Sequence, residues 1–162
     1  MKILERKKSA KKFIERWSNR GNEKQHSQSF WLDLLGTVFG IENPAEYILF
    51  EDSVKNMMDQ SSFIDGYIEK TNVLIEQKGQ EKDLNKGIRQ SDGSFLTPFQ
   101  QALRYSASLP YSRRPRWIIT CNFKEFYIYD MEKPNSDPSI LKLVDLDKEY
   151  YRLEILADKS NT

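Results

Sequence analysis

The sequence predicts a single α/β domain in which helices flank a mixed β-sheet. Two helical segments open the chain, a trio of short β-rich runs follows, and a proline-initiated helix separates that trio from further strands. At 162 residues the chain has the size of one domain with a substantial core, and neither an internal repeat nor a linker divides it.

The elements follow in order. Leu4 to Trp17 reads as a helix, broken by Ser18-Asn19-Arg20-Gly21-Asn22. In a second helix Phe30, Trp31, Leu34, Leu35, Val38 and Phe39 recur at three-to-four spacing, and Gly40 stands where a left-handed cap would end it. Tyr47 to Phe50 reads as a first strand, with an extension to Val54 left open. The stretch from Phe63 to Lys78 reads as a hairpin of two short arms rich in Ile, Val, Tyr and Phe around a polar loop. Gly79 to Ser94 is polar and glycine-containing, the composition of a mobile loop. Thr97 is an N-cap before Pro98, and Pro110 closes a helix predicted over Pro98 to Leu109. Pro115 to Cys121 and Glu125 to Tyr129 pair as strands about Asn122-Phe123-Lys124, and Leu141 to Leu146 adds an edge strand. The domain is expected to span 1–156, with 157–162 a frayed end or a cut inside a longer protein.

Composition excludes several chemistries. No apolar run approaches the about 18 residues of a membrane span and no signal-peptide pattern is present, so a soluble, cytoplasmic protein is expected. One cysteine, Cys121, rules out an internal disulfide, and its place in Trp117-Ile118-Ile119-Thr120-Cys121 suits a buried strand residue. One histidine, His26, leaves no zinc cluster and no histidine-based triad. The net charge of +1 carries no global nucleic-acid signature, but the N-terminal run Lys2, Arg6, Lys7, Lys8, Lys11, Lys12, Arg16, Arg20 and Lys24 is basic and the tail after Asp145 acidic. That run is either a solvated helix face or a phosphate-tracking flank.

The hairpin holds the chemistry. With Lys70 and Thr71 as a two-residue loop, or Glu69 to Asn72 as a four-residue loop, Ile68 faces Val73 and Asp65 falls opposite Glu76, while Lys78 shares their face because alternate strand residues point the same way. Two facing carboxylates repel unless something positive lies between them. A divalent cation and the Lys78 ammonium would serve. Magnesium takes one or two carboxylates and keeps several waters, so Asp65 and Glu76 suit half a shell that leaves room for a phosphate and a nucleophilic water. The Glu-x-Lys triplet is weak alone, since Glu5-Arg6-Lys7 also spells it within a charged helical stretch; its weight here comes from the apolar strand and the acidic partner.

Asp65, Glu76-Gln77-Lys78 and Gln101-Ala102-Leu103-Arg104-Tyr105 together resemble the PD-(D/E)xK nuclease superfamily, with the Gln-x3-Tyr element of its RecB-like branch. Phe13-Ile14-Glu15-Arg16-Trp17, Phe30-Trp31-Leu32-Asp33-Leu34-Leu35, Ser62-Phe63-Ile64-Asp65, Pro115-Arg116-Trp117-Ile118-Ile119-Thr120-Cys121-Asn122-Phe123 and Ile128-Tyr129-Asp130 resemble more closely the amino-terminal domain of MmeI-like restriction-modification enzymes. The resemblance implies a PD-(D/E)xK nuclease-like fold and magnesium-dependent hydrolysis of double-stranded DNA, with manganese able to substitute. It implies that Asp65, Glu76 and the backbone carbonyl of Gln77 bind the metal, that Lys78 positions the attacking water, and that Gln101 and Tyr105 steady the site or touch phosphate. It also implies a longer bacterial parent with a helical spacer, an adenine methyltransferase and a target-recognition region.

One departure and several alternatives accompany this reading. Ile64-Asp65 replaces the superfamily's Pro-Asp pair but keeps the carboxylate. Glu23 corresponds either to the acidic residue that some branches place on an early helix near the metal or to a residue that starts the second helix beside its dipole. Gln101 and Tyr105, four residues apart, are otherwise an amphipathic-helix flank. Arg113, Arg114 and Arg116 grip a phosphate or form a basic turn before a strand. Asn43-Pro44-Ala45-Glu46 is not the Asn-Pro-Pro-aromatic loop of adenine methylation and no glycine-rich cofactor fingerprint follows a strand, so S-adenosylmethionine binding is not expected here. The rival function is a non-catalytic nuclease-fold module that clamps DNA or docks to the methyltransferase. A purely structural α/β domain would leave Asp65 and Glu76 pointing apart.

Overall fold

A computed structural model describes residues 2–50 and 64–157. Helix α1 (Ile3–Trp17) buries Ala10, Phe13 and Trp17 and exposes its charged face. Asn22 then caps α2 (Glu23–Asp33) by accepting the Gln25 N–H at 2.9 Å. The predicted second helix continues as a wider π turn over Leu34–Val38 and ends at Gly40, whose φ of 70° is the left-handed cap that favours glycine.

Tyr47 was expected to begin a strand, but it ends a short helix, α3 (Pro44–Tyr47), because Pro44 presets the first helical residue. The Tyr47 hydroxyl donates to the Leu156 carbonyl at 2.7 Å, tying this turn to the C-terminal segment. Strand β1 is therefore only Leu49–Phe50, and its proposed extension to Val54 lies outside the described residues, as does Phe63. The hairpin arms are β2 (Gly66–Ile68) and β3 (Val73–Gln77), joined through Asn72 at φ 61°.

Gly79 to Ser94, expected to lack structure, contains one arm of a small hairpin. β4 (Ile88–Arg89) pairs antiparallel with β5 (Phe95–Leu96) around Gly93, whose φ is 87°. Arms this short carry no readable alternation. Helix α4 (Pro98–Ala107) starts with the reciprocal bonds of Thr97 and Gln100, a capping box. Strands β6 (Trp117–Cys121) and β7 (Glu125–Asp130) follow, then β8 (Ser139–Lys142). The predicted last strand stops earlier than Leu146, because Leu143, Leu146, Tyr150, Leu153 and Leu156 are all buried at helical spacing. They belong to a 3₁₀ turn at Leu143–Asp145, helix α5 (Leu146–Glu149) and a 3₁₀ stretch at Tyr150–Leu156.

One mixed sheet has the order β1-β2-β3-β6-β7-β8, with β3 parallel to β6 and every other pair antiparallel. On one face α1, α2 and the C-terminal helices cover Val73, Ile75, Ile119, Phe126 and Leu141, and Phe30 lies 5.1 Å from both Phe13 and Phe123. On the other face α4 sets Ala102 on Ile64, Tyr67, Leu74 and Ile118, while Phe99 stacks on Tyr129 at 3.8 Å. The central strand β3 is thus buried on both faces, as its Val-Leu-Ile run requires. No helix among the described residues is long and apolar enough to cross a membrane.

Candidate functional site

The hairpin register matches the sequence reading: Ile68 pairs with Val73, Tyr67 with Leu74 and Gly66 with Ile75, and one step further sets Asp65 opposite Glu76. Asp65 leaves the ladder just before β2, and its Oδ2 accepts the Gln77 N–H at 2.7 Å. That bond ties the carboxylate to the end of β3. Alternation sends Val73, Ile75 and Gln77 toward the α1–α2 layer and Leu74 and Glu76 toward α4. The Gln77 side chain accepts the buried Trp31 Nε1–H at 2.7 Å, so strand and helix are locked together directly behind the carboxylates.

Lys78 extends beyond the strand, and its Nζ lies 3.1 Å from Glu76 Oε1. Glu76 is only 3% exposed, and among the described residues its second oxygen, Oε2, is buried without a hydrogen-bond partner. Burial, with Asp65 alongside, pushes the Glu76 carboxyl well above the usual carboxylate range, against the pull of Lys78. Burial alone would lower the Lys78 ammonium, but Glu76 and Asp65 hold it above its usual value. Asp65, Glu76 and Lys78 line one cleft of about 440 Å³ together with Glu23, Lys24, Ser27, Gln28 and Tyr105. The Tyr105 phenol is held up by burial and then by Glu76, so it stays protonated through neutral pH.

A hard divalent cation fits this donor set. Asp65 and Glu76 offer carboxylate oxygens, one of them buried and unsatisfied. In a strand the N–H and C=O of one residue leave on the same side, so the Gln77 carbonyl leaves on the side where its N–H meets Asp65. Among the described residues no three His, Cys, Asp or Glu form a ready-made cage. Magnesium does not require one, since it retains water in place of protein ligands.

The other predicted residues are divided between places. Tyr105 reaches the cleft, whereas Gln101 lines an adjoining cavity and donates through Nε2 to Gln90 Oε1 at 2.9 Å. Glu23 opens α2 and also borders the cleft, so its two readings are compatible. Of the basic N-terminal run Lys24 lines the cleft, while Arg16 is committed to Asp33 and Arg6 to Glu154. Arg113 and Arg116 lie at the far end of β6 from Glu76 and pair with Glu69, and with Asp130 and Glu132. Arg114 sits over the Tyr111 ring. Cys121 is fully buried, its thiol pushed up to about 12, and His26 accepts the Asn22 N–H. Sequence reasoning missed Ser27 and Gln28. With Lys24 they share a helical face, but nothing in the sequence shows which surface that face meets.

A helix-flanked mixed sheet whose central strand ends in a carboxylate and a lysine, with a second carboxylate from the neighbouring arm of the hairpin, is compatible with a nuclease-like fold. The sequence model described as MmeI, N-terminal domain, matches residues 8–162, and the chain belongs to that family of restriction-enzyme domains. No curated protein and no solved structure matches the chain.

Proposed function

We propose that this domain is a magnesium-dependent DNA endonuclease, the cutting part of a larger restriction-modification enzyme that also carries a methyltransferase, a helical spacer and a target-recognition region. The observation that carries the proposal is the convergence of Asp65, Glu76 and Lys78 in one cleft, with Glu76 buried and one of its oxygens unsatisfied.

Magnesium or manganese, when bound, would supply Lewis-acid stabilisation of the charge that develops on the phosphate. Asp65, Glu76 and the Gln77 carbonyl would hold it. The Gln77 N–H keeps Asp65 from turning away, so the carboxylate is oriented in advance. Lys78 supplies a protonated ammonium beside the carboxylates, where it orients the attacking water and opposes negative charge at phosphorus. Tyr105, protonated at neutral pH, donates to a phosphate oxygen from the α4 side. Lys24, Ser27 and Gln28 present donors from the α2 side. A DNA strand laid in the cleft would therefore meet hydrogen-bond donors on both walls.

Calorimetric titration of the chain with magnesium or manganese, beside an Asp65→Ala, Glu76→Ala double variant of verified fold, tests the metal site. Saturable binding lost in the variant supports the proposal. In the DNA-clamp alternative the metal does not bind and Glu76→Gln leaves the parent's activity unchanged.

A further inference from the structure

Beside the cleft, across Tyr105, lies a second cavity of about 260 Å³ bordered by Gln90, Ser91, Asp92 and Leu96 from the β4–β5 hairpin and by Gln101, Arg104 and Tyr105 from α4. Among the described residues a side-chain relay links the hairpin to α4 there. Gln90 Nε2 donates to the Ile88 carbonyl at 2.7 Å, which fixes the direction of its amide, and Gln90 Oε1 then accepts Gln101 Nε2 at 2.9 Å. Gln101 is 7% exposed and is thereby committed to the hairpin rather than to the carboxylates.

The hairpin has two unlike faces. Ile88 pairs with Leu96, and Gln90 follows Ile88 by two residues, so these three face α4. Arg89 pairs with Phe95 on the opposite face. Arg89 is exposed, and Phe95 is 65% exposed, a large aromatic surface that the described residues leave uncovered. An aromatic ring beside a guanidinium suits nucleic acid: the ring stacks on a base or wedges at a step, and the cation meets phosphate. Asp92, the acidic group at the hairpin tip, accepts the Ser94 N–H and hydroxyl and is engaged within its own turn.

We propose that the β4–β5 hairpin is a DNA-contacting wall of the cleft, with Phe95 and Arg89 meeting the duplex beside the cut and Gln101 acting as a positioning residue that holds the hairpin through Gln90. The proposal rests on the nuclease reading for the location of the cut but not for contact with DNA.

The test replaces Phe95 with the photo-crosslinker p-benzoylphenylalanine in the full-length enzyme and irradiates it on a DNA duplex with calcium in place of magnesium, which separates contact from cleavage. The expected result is a crosslink next to the cut, reduced about fivefold by Gln90→Ala or Gln101→Ala, as loss of one hydrogen bond implies. The double variant should be no weaker than either single one, because the two amides act as one unit. Magnesium binding by calorimetry should be unchanged in Gln101→Ala. An absent crosslink while cleavage persists, a crosslink indifferent to both amides, or loss of magnesium in Gln101→Ala overturns the proposal. A crosslink without cleavage in magnesium upholds it and overturns the nuclease reading.

Discussion

The two ends of the β3–β6 strand pair are both charged, and they handle charge in opposite ways. At the end where Val73 meets Trp117, two arginines are paired: Arg113 with Glu69 at 2.6 Å, and Arg116 with Asp130 and Glu132 while lying over the Trp117 ring. At the other end, where Glu76 lies beside Thr120, the Lys78 ammonium pairs with Glu76 and is held up by Asp65 as well, and among the described residues Glu76 Oε2 is buried without a hydrogen-bond partner. The first arrangement is complete as it stands. The second leaves a buried carboxylate oxygen that a cation or a proton would satisfy, and on the proposed function this contrast separates structural charge from chemical charge on the same two strands.

The strongest way to break that distinction is to remove the chemical end. Asp65→Ala or Lys78→Ala in the full-length enzyme should lower DNA cleavage by about 10³-fold or more, the scale of losing a preorganised electrostatic group. Methylation by the same polypeptide should survive. Loss of both activities together, with unfolding seen by circular dichroism, would make the carboxylate end structural after all.

Next in size is a residue that serves both roles at one position. Gln77 offers its backbone to the site and its side chain to Trp31 and the Lys78 carbonyl. Gln77→Leu leaves the buried indole N–H unpaired and should cost about 1–3 kcal/mol in denaturant unfolding. Metal binding should persist, because the backbone carbonyl is unchanged.

A smaller, signed effect comes from pH. Since burial holds the Glu76 carboxyl well above the usual range, the folded state binds a proton more tightly than the unfolded chain. Its contribution to stability is fully present below the ordinary carboxylate pKa and is lost as pH rises through the raised one. Melting temperature without metal should therefore fall over that window relative to Glu76→Gln, and magnesium should restore it in the native protein only. Parallel profiles for the two proteins would remove the electrostatic argument for a cation site.

Much of this contrast was legible in the sequence where local rules decide. The hairpin register follows from either loop length, both of which set Ile68 against Val73, and from keeping Ile68, Val73 and Ile75 on one buried face, so the opposition of Asp65 and Glu76 required no tertiary information. Helix α4 was equally legible from Thr97, Pro98 and Gln100. What escaped depends on longer range or on very short elements. Helical spacing placed Gln101 beside Tyr105, but Gln90, brought in by an unpredicted hairpin, draws Gln101 into the neighbouring cavity. The C-terminal helices were readable from Leu143, Leu146, Tyr150, Leu153 and Leu156, yet the β-rich run from Leu141 obscured the change of period. The α2 wall of the cleft, with Lys24, Ser27 and Gln28, exists only once Trp31 is bonded to Gln77 and the helix is fixed against β3.

The smallest expected effect sharpens the comparison from the completed end. Arg113 and Glu69 are partly exposed, with side-chain accessibilities of 33% and 57%, so water competes for both charges. Arg113→Ala should therefore cost about 0.2–1 kcal/mol in unfolding, with cleavage and DNA affinity close to those of the native enzyme. A residue that grips phosphate would behave otherwise, because its loss would weaken DNA binding and flatten the dependence on salt by about one counterion. Measuring affinity at several salt concentrations distinguishes the two outcomes even though both leave the fold intact. An unchanged salt slope assigns the arginine end to structure, and a flatter one would mean that DNA extends across the whole length of the β3–β6 pair.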